Sequence, residues 1–357
     1  MSGMWGNKLK VSIFGESHGV GIGITIDGLP SGVEINLEEV MKEMARRAPG
    51  KSNLSTARKE ADAPEILSGL FEGKTTGTPL CAVIRNADMR SKDYGKLKDL
   101  MRPGHADYPG FIRYNGFNDY RGGGSFSGRI TAPLVFAGAV CQQVLESKGI
   151  NIGAHVKSIE NVEDKSFYDV ELSRELLGEL KTKELPLLIQ EKEEEMRDTI
   201  LKAKKEQDSV GGTIECTVIG INPGIGNPFF DSVESTLAHL MFSVPAVKGI
   251  EFGKGFEMSK LRGSDCNDEY YYDGDKVKTY TNNNGGITGG ITNGMPILFK
   301  VGIKPTPSIS KIQRTIDIAE EKEAELVIEG RHDPCIVQRA VPVIEAVTAI
   351  GILDLVL

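Results

Sequence analysis

The chain holds one tryptophan, five histidines and five cysteines in 357 residues, and each scarcity excludes something. Cys81, Cys141, Cys216, Cys266 and Cys335 are odd in number and include no Cys-x-x-Cys pair. That argues against a disulfide framework or a zinc ribbon and for a reducing compartment. The histidines show no His-x-x-x-His spacing, so no metal site is expected. No apolar run approaches the ~18 residues of a membrane span, and Met1 to Val11 carries no signal-peptide core. A cytoplasmic protein without membrane contact is the expectation. Positive charge is in deficit too: 42 Lys plus Arg stand against 50 Asp plus Glu, a formal net charge of −8. Bulk charge of that sign offers nothing to nucleic acid, while leaving room for a local basic pocket.

What the chain has in excess is glycine, 42 residues, roughly 12% against the usual ~7%. Apolar residues at 39% suffice for a sizeable core. Leu9, Val11 and Ile13 alternate as a strand, a glycine-bounded turn follows at Gly15 to Gly19, and Ile22, Ile24 and Ile26 alternate again. Asn36 with Glu39 reads as a helix cap ahead of Leu37, Val40, Met41 and Met44, ending at Arg46-Arg47-Ala48-Pro49-Gly50. Lys51 to Gly124 reads as short pieces and turns. Pro133 to Gly149 reads as a helix, with Pro133 either in its first turn or kinking a longer helix from Ser127. A solvated amphipathic helix is expected near Glu191, strands at 213–219 and 296–303, and a buried helix over Val341 to Leu357. Length alone suggests roughly two domains. No repeat, linker or composition break divides the chain, so one interwoven domain over residues 1–357 is expected.

Candidate chemistry gathers in a few turns. His18 lies in Gly-Glu-Ser-His-Gly and His105 in Arg102-Pro103-Gly104-His105-Ala106-Asp107. Each suits proton transfer at neutral pH, or is a turn histidine bonding a backbone carbonyl. The loop Arg121-Gly122-Gly123-Gly124-Ser125-Phe126-Ser127-Gly128-Arg129 precedes a helix and suits an anion, unless packing alone requires its glycines. Lys304-Pro305-Thr306-Pro307-Ser308 closes a strand with a cation and two hydroxyls, a second phosphate grip. Asp333, followed by Pro334, reads either as a helix N-cap or as a base held ionised beside Arg331 and His332. Arg46 and Arg47 complement a helix dipole. Gly69 to Thr75 has one residue too few for a nucleotide-binding loop, and Gly19 to Gly23 lacks dinucleotide spacing; both read as turns. Together these describe an enzyme for an acidic, phosphorylated small molecule.

Seven blocks in order resemble chorismate synthase: Gly-Glu-Ser-His-Gly at 15–19, Arg-Pro-Gly-His-Ala-Asp at 102–107, Tyr-Arg-Gly-Gly-Gly at 120–124, Asp-Ser-Val-Gly-Gly at 208–212, Pro-Ala-Val-Lys-Gly at 245–249, Lys-Pro-Thr at 304–306 and Arg-His-Asp-Pro-Cys at 331–335. The resemblance implies an α+β fold, a single large β-α-α-β sandwich, assembled as a homotetramer. It implies a lyase that removes phosphate from 5-enolpyruvylshikimate 3-phosphate by 1,4-anti elimination, with reduced FMN as cofactor. NADPH would enter only indirectly, through an external flavin reductase. By motif position His18 would protonate the departing phosphate, His105 would lie against the flavin and protonate it, and Asp333 would help remove the C6 proton. Arg46, Arg47, Arg102, Arg129 and Arg331 would clamp the substrate. Flavin contacts would fall on Ser125, Phe126, Ser127, Pro245, Ala246, Gly289, Lys304, Pro305, Thr306, Pro307, Ser308 and Arg331. Two departures stand out. Ser125-Phe126-Ser127-Gly128-Arg129 replaces the usual Arg-Ser-Ser-Ala-Arg, and Asn53 stands where an anion-binding Arg is common, with Lys51 or Arg58 as substitutes. The rival readings are a non-catalytic flavin- or phosphate-binding relative and a flavin oxidoreductase.

Overall fold

The computed structural model describes residues 3–50, 62–86, 98–328 and 332–357. Strands β1 (Met4–Trp5), β2 (Lys10–Gly15), β3 (Gly21–Asp27), β4 (Pro64–Ser68) and β5 (Leu80–Arg85) form one antiparallel sheet in the order β1-β2-β3-β5-β4. The alternating Ile22, Ile24 and Ile26 are fully buried, as a sheet with one covered face requires. Where short pieces were expected after Lys51, β5 instead enters the sheet beside β3. Its run Leu80-Cys81-Ala82-Val83-Ile84 is continuous rather than alternating, the pattern of an interior strand, and so leaves no period to read.

Three helices come next. α1 (Leu37–Arg47) is capped by the Asn36 side chain, which accepts from the Glu38 and Glu39 amides. α2 (Asp107–Arg113) follows the His105 turn, and α3 (Thr131–Glu146) carries Pro133 in its first turn, where no amide is missed. A second antiparallel sheet contains β6 (Asn151–Ile159), β7 (Val162–Glu163), β8 (Gly212–Ile219), β9 (Val247–Phe252) and β10 (Ile297–Ile303), in the order β9-β10-β8-β6-β7. The polar stretch forms α4 (Lys192–Lys205), burying only Met196, Ile200 and Ala203.

α5 (Val233–Ser243) and α6 (Val337–Val356) complete the layers. α3 packs on β3 and β5, α6 packs on β6 and β8, and the two helices pack on each other. The order is therefore sheet, helix, helix, sheet, with one apolar core running through all four layers. Both central helices are apolar on nearly every side, as helices covered on all faces must be. Their contact is close: a Cβ on Gly138 would lie 2.2 Å from the Ala346 Cβ. α6 begins four residues before the expected Val341. Asp333 is not its N-cap, because Ile336 holds that position. Gly69 to Thr75 forms a small hairpin, Leu70–Phe71 with Lys74–Thr75, as the turn reading requires.

Candidate active site

A cavity of about 620 Å³ collects residues from distant parts of the chain. Arg47 and Pro49 come from the end of α1, Arg102, Gly104 and His105 from the turn before α2, and Gly122 with Ser125 to Arg129 from the glycine loop. Pro245, Ala246 and Lys248 come from the α5–β9 junction, Lys304 and Thr306 to Ser308 from the segment after β10, and His332, Asp333 and Arg339 from around the start of α6. The Lys304 amide donates to the Ala246 carbonyl at 2.9 Å, which binds two of these pieces together. Among the described residues, four guanidiniums and two ammoniums (Arg47, Arg102, Arg129, Arg339, Lys248 and Lys304) line the cavity against one carboxylate, Asp333.

The glycine loop separates the two histidines. Gly122, Gly123 and Gly124 all have left-handed φ, at 58°, 86° and 53°. A Cβ on Gly122 would lie 2.2 Å from the His18 ring, and one on Gly123 would lie 3.1 Å from His105 Nε2. Packing therefore requires these glycines: Gly122 and Gly123 lie against the two proton-transfer candidates, and Gly124 against the Asp119 carbonyl. Ser17 staples the His18 turn to the loop, its hydroxyl lying 3.2 Å and 3.1 Å from the Arg121 and Gly122 carbonyls and 3.2 Å from His18 Nδ1. His18 is buried behind Gly122 rather than in the cavity lining.

The arginines divide according to helix geometry. Arg46 and Arg47 are adjacent on α1 and so point about 100° apart. Arg47 enters the cavity, with Nη1 donating to Asp62 Oδ2 at 3.0 Å and Nη2 to the Gly128 carbonyl at 2.6 Å. Arg46, expected on the substrate, instead pairs with Glu43 at 2.5 Å and with the fully buried Glu345 of α6. Arg129 also binds Asp62, and its Nε donates to Asn86 Oδ1 at 3.1 Å. One buried carboxylate thus sets the spacing of two cavity arginines. Arg102 commits Nε and Nη2 to Asp107, each at 2.7 Å. Asp333 binds Arg339, whose Nε also holds the Arg47 carbonyl at 3.1 Å.

Two further expected contacts lie outside the lining. Gly289 turns the hairpin between Ile287–Thr288 and Ile291–Thr292, with φ of 64°, which accounts for the glycine without a ligand. Pro305 is exposed and packs near Gly211. Arg331, Asn53, Lys51 and Arg58 lie outside the described residues. Sequence reasoning assigned nothing to Asp62, Asn86, Asp107, Lys248 and Arg339. Asp107, two residues from a histidine, and Lys248, inside the Pro-Ala-Val-Lys-Gly block, had a local signal; Asp62, Asn86 and Arg339 meet the site through tertiary packing.

A family model described as chorismate synthase matches residues 9–357. The chain belongs to the chorismate synthase family. It is 48% identical over 352 residues to the chorismate synthase of Pyrococcus abyssi, covering 98% of this chain and 96% of that one. Against the chorismate synthase of Methanocaldococcus jannaschii it is 44% identical over 360 residues, covering 98% and 95%. A solved structure titled crystal structure of chorismate synthase is similar with a TM-score of 0.77 at 32% identity, over 98% of this chain and 92% of the other. Chorismate synthase membership makes the chain a lyase acting on a small molecule with a reduced flavin. The cavity suits such a group. The Thr306 Oγ1 atom is buried without a hydrogen-bond partner, a hydroxyl in want of an acceptor or donor. Burial, and then the charge of Lys248, lowers Lys304 below its ordinary value, and an anion between the two ammoniums would relieve the second effect. Phe126 is seated on Gly110 of α2, where a Cβ would lie 2.7 Å from its ring, so the altered loop is accommodated by its neighbour.

Proposed function

We propose that the chain catalyses the loss of phosphate from 5-enolpyruvylshikimate 3-phosphate, giving chorismate by 1,4-anti elimination with reduced FMN as cofactor. The charge of the cavity carries this reading: among the described residues six cations line it against one carboxylate, in a protein of net charge −8. The substrate brings a phosphate and two carboxylates, the groups that guanidinium forks bind best. Arg47 and Arg129, spaced by Asp62, take part of that charge, and Arg331 adds to it from outside the described residues.

In the reaction the C3–O bond to phosphate breaks, a proton leaves C6, and the ring gains a double bond, so the overall change needs neither oxidant nor reductant. Asp333, the one carboxylate in the lining among the described residues, serves as base for the C6 proton. His18, immediately behind Gly122, supplies a proton to the departing phosphate, and the arginines stabilise the charge it develops. His105, in the cavity wall, is the proton donor toward the flavin. A bound reduced flavin supplies transient electron density that weakens a C–O bond in an unactivated position. Ser125, Phe126, Ser127, Pro245, Ala246, Lys304 and Thr306 to Ser308 hold the flavin.

FMN is the flavin, and NADPH acts only through an external reductase. The protein works as a cytoplasmic homotetramer. Free thiols at all five cysteines support the first part, and Phe229, Phe230 and Phe256, exposed at 86%, 93% and 80%, support burial against further copies. The test is anaerobic: full-length protein, photoreduced FMN and substrate, with chorismate absorbance and free phosphate followed together. Equal release of both, absent with oxidised FMN, is expected. Ligand binding without either product would establish the non-catalytic relative instead.

A further inference from the structure

α2 opens on a carboxylate, Asp107, to which the reaction above assigns nothing. We propose that Asp107 is a positioning residue that fixes His105 as its Nδ1–H tautomer, leaving Nε2 as the atom that exchanges protons with the cavity, and that Arg102 acts by holding Asp107 rather than by gripping the substrate. This inference rests on the reading of His105 as a proton-transfer group.

The geometry is a relay of three side chains. Arg102 binds Asp107 as a fork, Nε to Oδ2 and Nη2 to Oδ1, both at 2.7 Å, and its backbone amide adds a third bond to Oδ2 at 3.1 Å. His105 Nδ1 lies 2.6 Å from Asp107 Oδ1. Asp107 is buried; burial alone would raise its carboxyl, but the bonds from Arg102 and His105 outweigh that and hold it below the ordinary carboxylate range. An ionised carboxylate only accepts, so Nδ1 must carry the hydrogen.

A competing contact has to be weighed. Arg102 Nη2 also lies 3.2 Å from Nδ1, and a guanidinium only donates, which would demand a bare Nδ1. Both arrangements cannot hold. The 2.6 Å contact to a charged oxygen is the stronger, and two donors converging on Oδ1 necessarily lie near each other. Nη2 is therefore a neighbour of the ring and a partner of the carboxylate.

The consequence falls at the far end of the imidazole. Nε2 faces Gly123, whose missing side chain keeps that atom uncovered, since a Cβ there would lie 3.1 Å away. A proton taken at Nε2 makes an imidazolium that Asp107 stabilises, and the same atom returns it. The other charged groups around the turn do not compete for Nδ1: Lys304 donates to the Gly104 carbonyl, and His18 lies across the loop against Gly122. An ion pair that merely held the turn would be indifferent to which ring nitrogen is protonated.

The test is the ring 15N spectrum of the full-length, flavin-free protein labelled at histidine, at mildly alkaline pH, with His105 assigned by difference from His105→Gln. The wild-type ring should show a protonated Nδ1 and a bare Nε2. In Asp107→Asn the one carbonyl oxygen goes to Arg102, the pattern reverses, and kcat with reduced FMN falls at least ~100-fold with KM within about 2-fold. Arg102→Lys should likewise lower kcat rather than raise KM. A wild-type ring protonated at Nε2, or an Asn variant that keeps the wild-type pattern, overturns the tautomer assignment. A rise in KM alone for Arg102→Lys returns Arg102 to the substrate. The wild-type spectrum decides even if the Asn variant does not fold. It is read without turnover, so failure of the elimination reading leaves it untouched.

Discussion

Arg46 and Arg47 are identical neighbours with opposite fates, and the difference is one step of helix rotation. Arg46 closes a buried ion-pair group with Glu43 and Glu345, where Lys181 also reaches Glu43 at 3.4 Å. Arg46→Ala leaves Glu345 buried with a lost partner, and unfolding free energy should fall by about 3 kcal/mol while KM stays unchanged. Arg47→Ala should do the reverse, raising KM about 10-fold or more with a smaller effect on melting. Denaturant titration beside steady-state kinetics separates the two; a KM effect from Arg46 would place it back on the substrate. At this scale the sequence exposed the residues but not their partners. His18, His105 and Asp333 stood out as candidates because turn motifs isolate them from any periodic core. Asp62 and Arg339 were not, because their function is to meet Arg47, Arg129 and Asp333 across long stretches of chain.

Elements with a clear period were read correctly. β2, β3 and α1 stand where alternation and the Asn36 cap put them. α6 began early because Gln338 and Arg339 interrupt its apolar run, yet both belong to the helix, and Arg339 serves the cavity from it. Packing between elements was not legible, and Gly138 shows why. A helix-interior glycine reads as a cost of about 1 kcal/mol, but here it admits Ala346. Gly138→Ala should therefore destabilise by about 1–3 kcal/mol despite its better helix propensity, and Ala346→Gly in the same chain should recover little of the loss, because the Ala346 Cα itself would lie 2.3 Å from the new Cβ. Chemical denaturation of the two single variants and the double variant checks this.

The second sheet carries a titrating element of its own. His155 is fully buried on β6 between Asp164, 3.1 Å from Nδ1, and Glu215 of β8, 3.0 Å from Nε2. Burial would lower this imidazole, but hydrogen bonds to the two carboxylates outweigh it and raise it above 6.5. Burial likewise acts to raise both carboxyls, and His155 with nearby donors overrides it, so both are lowered. A raised histidine contributes stability that is complete below its unfolded value and lost as pH climbs through the folded one. Melting temperature should accordingly fall as pH rises above about 6.5. In His155→Gln that alkaline slope should disappear from a lower starting value. A slope of equal size in both proteins would place the titrating group elsewhere.

For the whole molecule, composition argued against disulfide, metal and membrane architectures, and ordered motifs supplied the family. The four-layer order was implied by that resemblance and not by composition or periodicity. It follows from two helices apolar on every side, which only sheets on both flanks can cover. That stacking brings the end of α1, the glycine loop, the segment after β10 and the start of α6 to one cavity. The central claim is that this cavity performs the elimination with Asp333 as its base. The most direct measurement compares wild type and Asp333→Asn anaerobically with reduced FMN, following chorismate formation from substrate with and without deuterium at C6. The account predicts that kcat falls at least ~100-fold with KM within a few-fold, and that a deuterium effect grows in the variant as proton removal becomes limiting. An Asn variant that turns over at the wild-type rate would contradict it.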